Sequence, residues 1–114
     1  MSTAQDWKNK GNSFVQEQKY EDALNYYSKA IELDPSDPIL YSNRSLMYSN
    51  LNQFEPAIKD AKKAIQLNPN YTKAYSRLGK AYEGINDFQK AYEAYSQGLE
   101  KDPNNAQINE ALKK

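Results

Sequence analysis

Residues 7–35 read WKNKGNSFVQEQKYEDALNYYSKAIELDP, and the pattern recurs twice more along the chain. Its closing proline, Pro35, is followed by Pro69 and Pro103, two steps of 34 residues. On that period Trp7 aligns with Tyr41 and Tyr75, Phe14 with Tyr48 and Tyr82, and Tyr20 with Phe54 and Phe88. Ala23, Ala57 and Ala91 form a fourth ladder, and Ala30, Ala64 and Gly98 a fifth. Coincident ladders of this kind mark copies of one supersecondary unit that buries its apolar face only by stacking on its neighbours.

Inside the first unit, Trp7, Gly11, Phe14 and Val15 recur at helical spacing. The pattern breaks at Lys19-Tyr20 and resumes through Ala23, Leu24, Tyr27, Ala30 and Ile31, which spells a helical hairpin. Gly11, Ser45 and Gly79 on the first helices and the alanine ladders on the second let backbones approach closely while aromatics fill the gaps. Asp37-Pro38 reads as an N-cap with proline at the first helical position, and Asp34-Pro35, Asn68-Pro69 and Asp102-Pro103 as helix ends. The expected fold is all-α: three hairpins, about residues 4–37, 38–71 and 72–105, followed by a capping segment, 106–114. One domain spanning 1–114 is expected, coiled into a right-handed superhelix with a concave groove. Ile108, Ala111 and Leu112 would cover the end of the stack.

Composition removes most chemistry. Fifteen Lys+Arg balance fifteen Asp+Glu, so the overall field favours neither nucleic acid nor an anionic membrane as partner. With no Cys and no His, the chain lacks disulfides, thiol nucleophiles, imidazole bases and the usual zinc ligands. No catalytic residue, metal site or cofactor is expected, and the chain does not read as an enzyme. Residues 1–8 are polar, and no apolar run approaches the roughly 20 residues of a membrane helix, so a soluble cytoplasmic protein is expected.

In a repeat stack, residues that obey the period hold the structure, and polar residues that depart from it on the inner wall call for another explanation. Lys8 and Asn12 are four apart on the first helix, offset from the packing stripe. Asn43 occupies the same wall in the second unit, and Lys73 and Arg77, again four apart, in the third. Three cations and two amides facing one groove suit a pair of carboxylates, which take charge from ammonium and guanidinium groups and hydrogen bonds from Asn. The ten tyrosines read mainly as packing, and Lys62-Lys63 as a solvated face.

The residues W-x2-K-G-x2-F at 7–14, A-x3-Y-x2-A at 23–30 and Pro35 resemble the tetratricopeptide repeat family over nearly the whole chain. The strings K-N-K-G-N (8–12), L-Y-S-N-R-S (40–45) and K-A-Y-S-R (73–77) resemble, more narrowly, the carboxylate clamp of tetratricopeptide co-chaperones. The resemblance is strongest to the first module of the Hop/Sti family and next to the small glutamine-rich co-chaperones. It implies a protein-binding adaptor that holds the C-terminal Glu-Glu-Val-Asp of heat-shock chaperones, the seventy class favoured over the ninety class. It also implies roles: Lys8, Asn12 and Asn43 on the terminal Asp, and Lys73 and Arg77 on the upstream carboxylates and backbone. Val15, Leu46 and Asn50 are further candidates for peptide contact, as is Glu83, which would meet a peptide amide or orient Arg77. Three other readings compete: a scaffold for an internal peptide or helix, the regulatory arm of an enzyme, and a self-associating module. In the last, an otherwise monomeric chain pairs through apolar surface near Ile108 and Leu112.

Overall fold

Four of the seven helices start on a side chain that accepts from an open first-turn amide. Thr3 and Asp6 form a capping box ahead of α1 (Ala4–Gln16). Asp37 accepts from the Ile39 amide and precedes Pro38, the first residue of α3 (Pro38–Asn50). Asp87 and Asn105 cap α6 (Phe88–Lys101) and α7 (Ala106–Leu112). The remaining helices are α2 (Tyr20–Leu33), α4 (Phe54–Leu67) and α5 (Thr72–Gly84). These elements come from a computed structural model that describes residues 2–113; Met1 and Lys114, the ends of the two terminal segments, lie outside the described residues. No strand occurs among the described residues.

Each hairpin turns on the same device. Gln18, Asn52 and Asn86 adopt left-handed backbone with φ of 59°, 60° and 62°. The amide after each reaches back to the carbonyl of a ladder aromatic: Lys19 to Phe14 at 2.9 Å, Gln53 to Tyr48 at 2.8 Å and Asp87 to Tyr82 at 2.9 Å. Together with the bonds from Gln18, Asn52 and Asn86 to Val15, Ser49 and Glu83, this is the Schellman arrangement. The chain therefore reverses in three residues and lays α2, α4 and α6 back along α1, α3 and α5.

Packing between the arms is set by complementary bulk. Tyr27 covers Gly11 so closely that a Cβ there would lie 2.7 Å from the ring, and Tyr95 covers Gly79 at 2.3 Å. In the middle hairpin the sizes are exchanged: Ala61 replaces the tyrosine, and Ser45 replaces the glycine and donates to the Ala57 carbonyl at 2.7 Å. Ala23, Ala30, Ala57, Ala61 and Ala64 are wholly buried. Between hairpins, Tyr41 and Tyr75 donate their hydroxyls to the carbonyls of Pro35 and Pro69, which fixes each hairpin on the one before it. The stack is elongated, 44 × 25 × 22 Å, with α1, α3 and α5 along its groove side.

The C-terminal end differs from expectation in one respect. Ile108 does not contribute exposed apolar surface: it is wholly buried, its side chain seated against Gly98, where a Cβ would meet it at 2.6 Å. Ala111 and Leu112 are partly buried against the same cluster. The exposed apolar side chains at this end are Phe88 and Tyr92, 64% and 63% accessible. In α4, Phe54 lies against Gly84 of the following helix, and Phe88, one repeat later, has no such cover among the described residues.

Candidate functional site

Three first helices converge on a cleft of about 270 Å³. Asn12, Val15 and Gln16 enter it from α1, Asn43, Leu46 and Met47 from α3, and Arg77 from α5; Tyr27 of α2 closes the base. Five of the residues singled out in the sequence therefore meet here: Asn12, Asn43, Arg77, Val15 and Leu46. Lys8 and Lys73 do not line the cleft. They sit one helical turn before Asn12 and Arg77, Lys8 half-buried and Lys73 exposed.

Asn12 is exposed, yet it is oriented. The Tyr27 hydroxyl donates to its side-chain oxygen, which leaves the amide N–H groups without a partner among the described residues and able to donate to a ligand. Burial pushes the Tyr27 phenol up to about 12, so it remains a donor throughout the physiological range. Gly11 is part of this arrangement, because only a residue without Cβ lets the ring come close enough to reach Asn12.

Arg77 is the cation that lines the cleft, and it is poorly satisfied. Its Nε is buried without a hydrogen-bond partner, and desolvation lowers its pKa, with the neighbouring Tyr71 acting in the opposite direction. No carboxylate lines this cleft. A half-buried guanidinium beside three amides, Asn12, Gln16 and Asn43, and an apolar wall of Val15, Leu46 and Met47 suits an anion.

Two secondary candidates lie elsewhere. Glu83 does not orient Arg77: it accepts from the Tyr95 hydroxyl and lines a separate cleft with Phe88, Tyr92 and Leu112. Six residues along a helix carry a side chain well around the axis, which separates the two. Asn50, two turns from Asn43, is half-buried and does not line the cleft. Conversely, Tyr27, Gln16 and Met47 line it and were not singled out. The pairing of Gly11 with Tyr27 and Gly79 with Tyr95, against Ser45 with Ala61, is the sequence signal that marks Tyr27 as more than filler. Among the described residues there is no carboxylate, His or Cys cluster suited to a metal, and no helix long and apolar enough to cross a membrane.

Comparison with known proteins bears on the fold and the family. Sequence profiles described as TPR repeat match residues 11–52 and 46–85, and one described as tetratricopeptide repeat matches 72–105. The Hsp70-Hsp90 organizing protein 2 of Arabidopsis thaliana is 50% identical over 44 residues, 39% of this chain but only 8% of that protein. The chain thus corresponds to a small part of the curated relatives it matches. The first TPR of Spaghetti (RPAP3), solved with the HSP90 peptide SRMEEVD, superposes with a TM-score of 0.92 at 37% identity, over 97% of this chain and 88% of that one. The second TPR domain of human RPAP3, solved with the HSP70 peptide SGPTIEEVD, gives 0.88 at 33% identity, over 94% and 89%. With matched repeats from residue 11 to residue 105 and this superposition, the chain belongs to the tetratricopeptide repeat family.

Proposed function

We propose that the chain acts as one adaptor module, 1–114, whose three repeats clamp the free C-terminal carboxylates of a chaperone tail ending in Glu-Glu-Val-Asp. The observation that carries this reading is Arg77, a cation that lines the same cleft as the amides of Asn12, Gln16 and Asn43 and whose buried Nε has no partner among the described residues. Lys8, Asn12 and Asn43 receive the terminal Asp and its main-chain carboxylate, and Lys73 and Arg77 the upstream carboxylates. Support comes from the two similar domains solved with peptides of this ending. An exposed ion pair is worth only about 0–1 kcal/mol, whereas a charge-assisted hydrogen bond reaches about 1.5–3 kcal/mol. Several such bonds, less the entropy of fixing a peptide, correspond to a Kd of about 1–100 μM.

The two peptides share the clamped residues and differ just before them, Met in one and Ile in the other. Discrimination therefore falls to the apolar wall of Val15 and Leu46. Preference for the seventy-class tail is proposed from the resemblance to the first Hop/Sti module. No bond is made or broken: holding a cytosolic chaperone near other domains raises their effective concentration. Fluorescence anisotropy with octapeptides ending in Ile-Glu-Glu-Val-Asp and Met-Glu-Glu-Val-Asp, each as acid and amide, tests the reading. Micromolar binding of the acids, at least tenfold weaker for the amides and for Arg77→Ala, is expected, with the Ile peptide tighter. Equal binding of acid and amide would leave a scaffold for an internal segment.

A second reading is favoured by the exposed pair Phe88 and Tyr92, which offers apolar surface for a second copy of the chain. Sedimentation velocity across a hundredfold concentration range, with Phe88→Ser as control, separates a monomer from this dimer.

A further inference from the structure

A larger cleft, about 570 Å³, lies in the middle hairpin and shares no residue with the one just described. Tyr41, Arg44 and Tyr48 supply its α3 wall, at i, i+3 and i+7, on a different face from Asn43, Leu46 and Met47. Lys59, Lys62 and Lys63 of α4 form its rim.

The first hairpin fills the equivalent space with a ring. There Tyr26 stacks between Trp7 and Phe14, with ring centroids 5.6 and 5.3 Å away. Trp7 and Phe14 correspond to Tyr41 and Tyr48, but the counterpart of Tyr26 is Asp60. Asp60 instead grips Arg44 fork to fork, Nε–Oδ2 2.7 Å and Nη2–Oδ1 2.9 Å, and the guanidinium rests 5.8 Å from each tyrosine ring. Ser28 accepts from the Arg44 Nη1, so the guanidinium is anchored on two sides. In the second hairpin the Arg44 guanidinium thus stands beside both aromatic walls, where the first hairpin has a ring, and it lines the cleft.

Its charge also departs from the repeat. Positions 25, 28 and 29 of the first hairpin are Asn, Ser and Lys, and 93, 96 and 97 of the third are Glu, Ser and Gln, whereas 59, 62 and 63 are all Lys. None of the three lysines makes an ion pair among the described residues, and the one carboxylate lining the cleft, Asp60, is committed to Arg44. Lys62 and Lys63, which read as merely solvated in the sequence, frame a cavity.

We propose that this cleft is a second peptide site, for an acidic segment that seats one aromatic side chain on the Arg44 guanidinium, beside Tyr41 and Tyr48, and lays its carboxylates on Lys59, Lys62 and Lys63. The ring stacks on the Arg44 guanidinium where it lines the cleft. The lysines supply point charges that tolerate several carboxylate geometries. The site needs no free C-terminus and is independent of the clamp, so an adaptor could hold a chaperone tail and an acidic client segment at once.

The test is a ¹H–¹⁵N NMR titration of the whole chain with acetyl-Asp-Glu-Trp-Glu-Asp-amide, whose blocked ends keep it from the clamp. Saturable shifts at Tyr41, Tyr48, Lys59 and Lys63, with a Kd below about 1 mM, are expected. The double change Lys59→Asn/Lys62→Ser restores the first hairpin's residues and should weaken binding at least fivefold, with the thermal midpoint unchanged. Ala in place of the peptide's Trp should weaken it at least threefold, and Arg77→Ala should leave it unaltered. Absence of saturable shifts, shifts centred on Asn12 and Asn43, or equal binding by the peptide without a ring would each overturn the proposal.

Discussion

Tyr27 belongs to two structures at once, since its ring fills the space over Gly11 and its hydroxyl holds the Asn12 amide. Tyr27→Phe keeps the ring and removes the bond. We expect the fold to survive and tail-peptide affinity to fall about three- to tenfold, the worth of one hydrogen bond of about 0.5–1.5 kcal/mol, read by anisotropy. Gly79 tests the packing half of the same design. Alanine in mid-helix ordinarily gains about 1 kcal/mol over glycine, but here its Cβ would lie 2.3 Å from the Tyr95 ring, which is 5% exposed and tied by its hydroxyl to Glu83. Overpacking of about 1–3 kcal/mol wins, so Gly79→Ala should lower the urea midpoint. At this scale the sequence was legible where a residue departed from the repeat toward polarity: Asn12, Asn43 and Arg77 meet as their spacing suggests. Glu83 pairs with Tyr95, twelve residues away on another helix, and not with Arg77, and no local pattern announces that bond.

Among the elements, the three turns carry a conformational demand that their residues meet unequally. Asn tolerates the left-handed region better than other side chains, and Asn52 and Asn86 occupy it, but the first turn uses Gln18 at φ 59°. Gln18→Gly should stabilise the chain by roughly 0.5–1 kcal/mol, visible as a higher urea midpoint with an unchanged slope. Asn86→Gly should give a smaller gain. Hairpin pattern, caps and the short turns were readable because they rest on periodicity and on adjacent residues such as Asp37-Pro38. The Arg44–Asp60 pair was not, because its members stand sixteen residues apart on different helices, each unremarkable in its own stretch. Its cavity goes with the exchange of Tyr26 for Asp60, a departure inside the packing set and not on the groove wall.

For the whole molecule, stability rests on buried phenols and small residues and on few charges. Burial raises the pKa of Tyr27 to about 12 and raises those of Tyr71, Tyr75 and Tyr95 as well. A phenol whose folded pKa exceeds its unfolded value near 10 contributes stability that is complete below pH 10 and is lost as pH rises toward the folded value. The chain should therefore lose stability between about pH 10 and 12, and Tyr27→Phe should move the alkaline transition upward, followed by far-ultraviolet circular dichroism. The proposed clamp adds the charges of a half-buried Lys8 and an exposed Lys73, so tail affinity should fall as salt rises from 50 to 500 mM, when the Debye length shrinks from about 14 to 4 Å.

The clamp stands or falls on Arg77, whose Nε–H is buried and without a partner in the free protein. The most direct measurement is the ¹⁵Nε–¹H resonance of Arg77, assigned through its loss in Arg77→Lys and followed while a Glu-Glu-Val-Asp peptide is added as the free acid and then as the amide. The clamp predicts a saturable downfield shift with the acid, tracking the anisotropy Kd, and little movement with the amide. An Arg77 signal that stays in place while the acid peptide binds would contradict it.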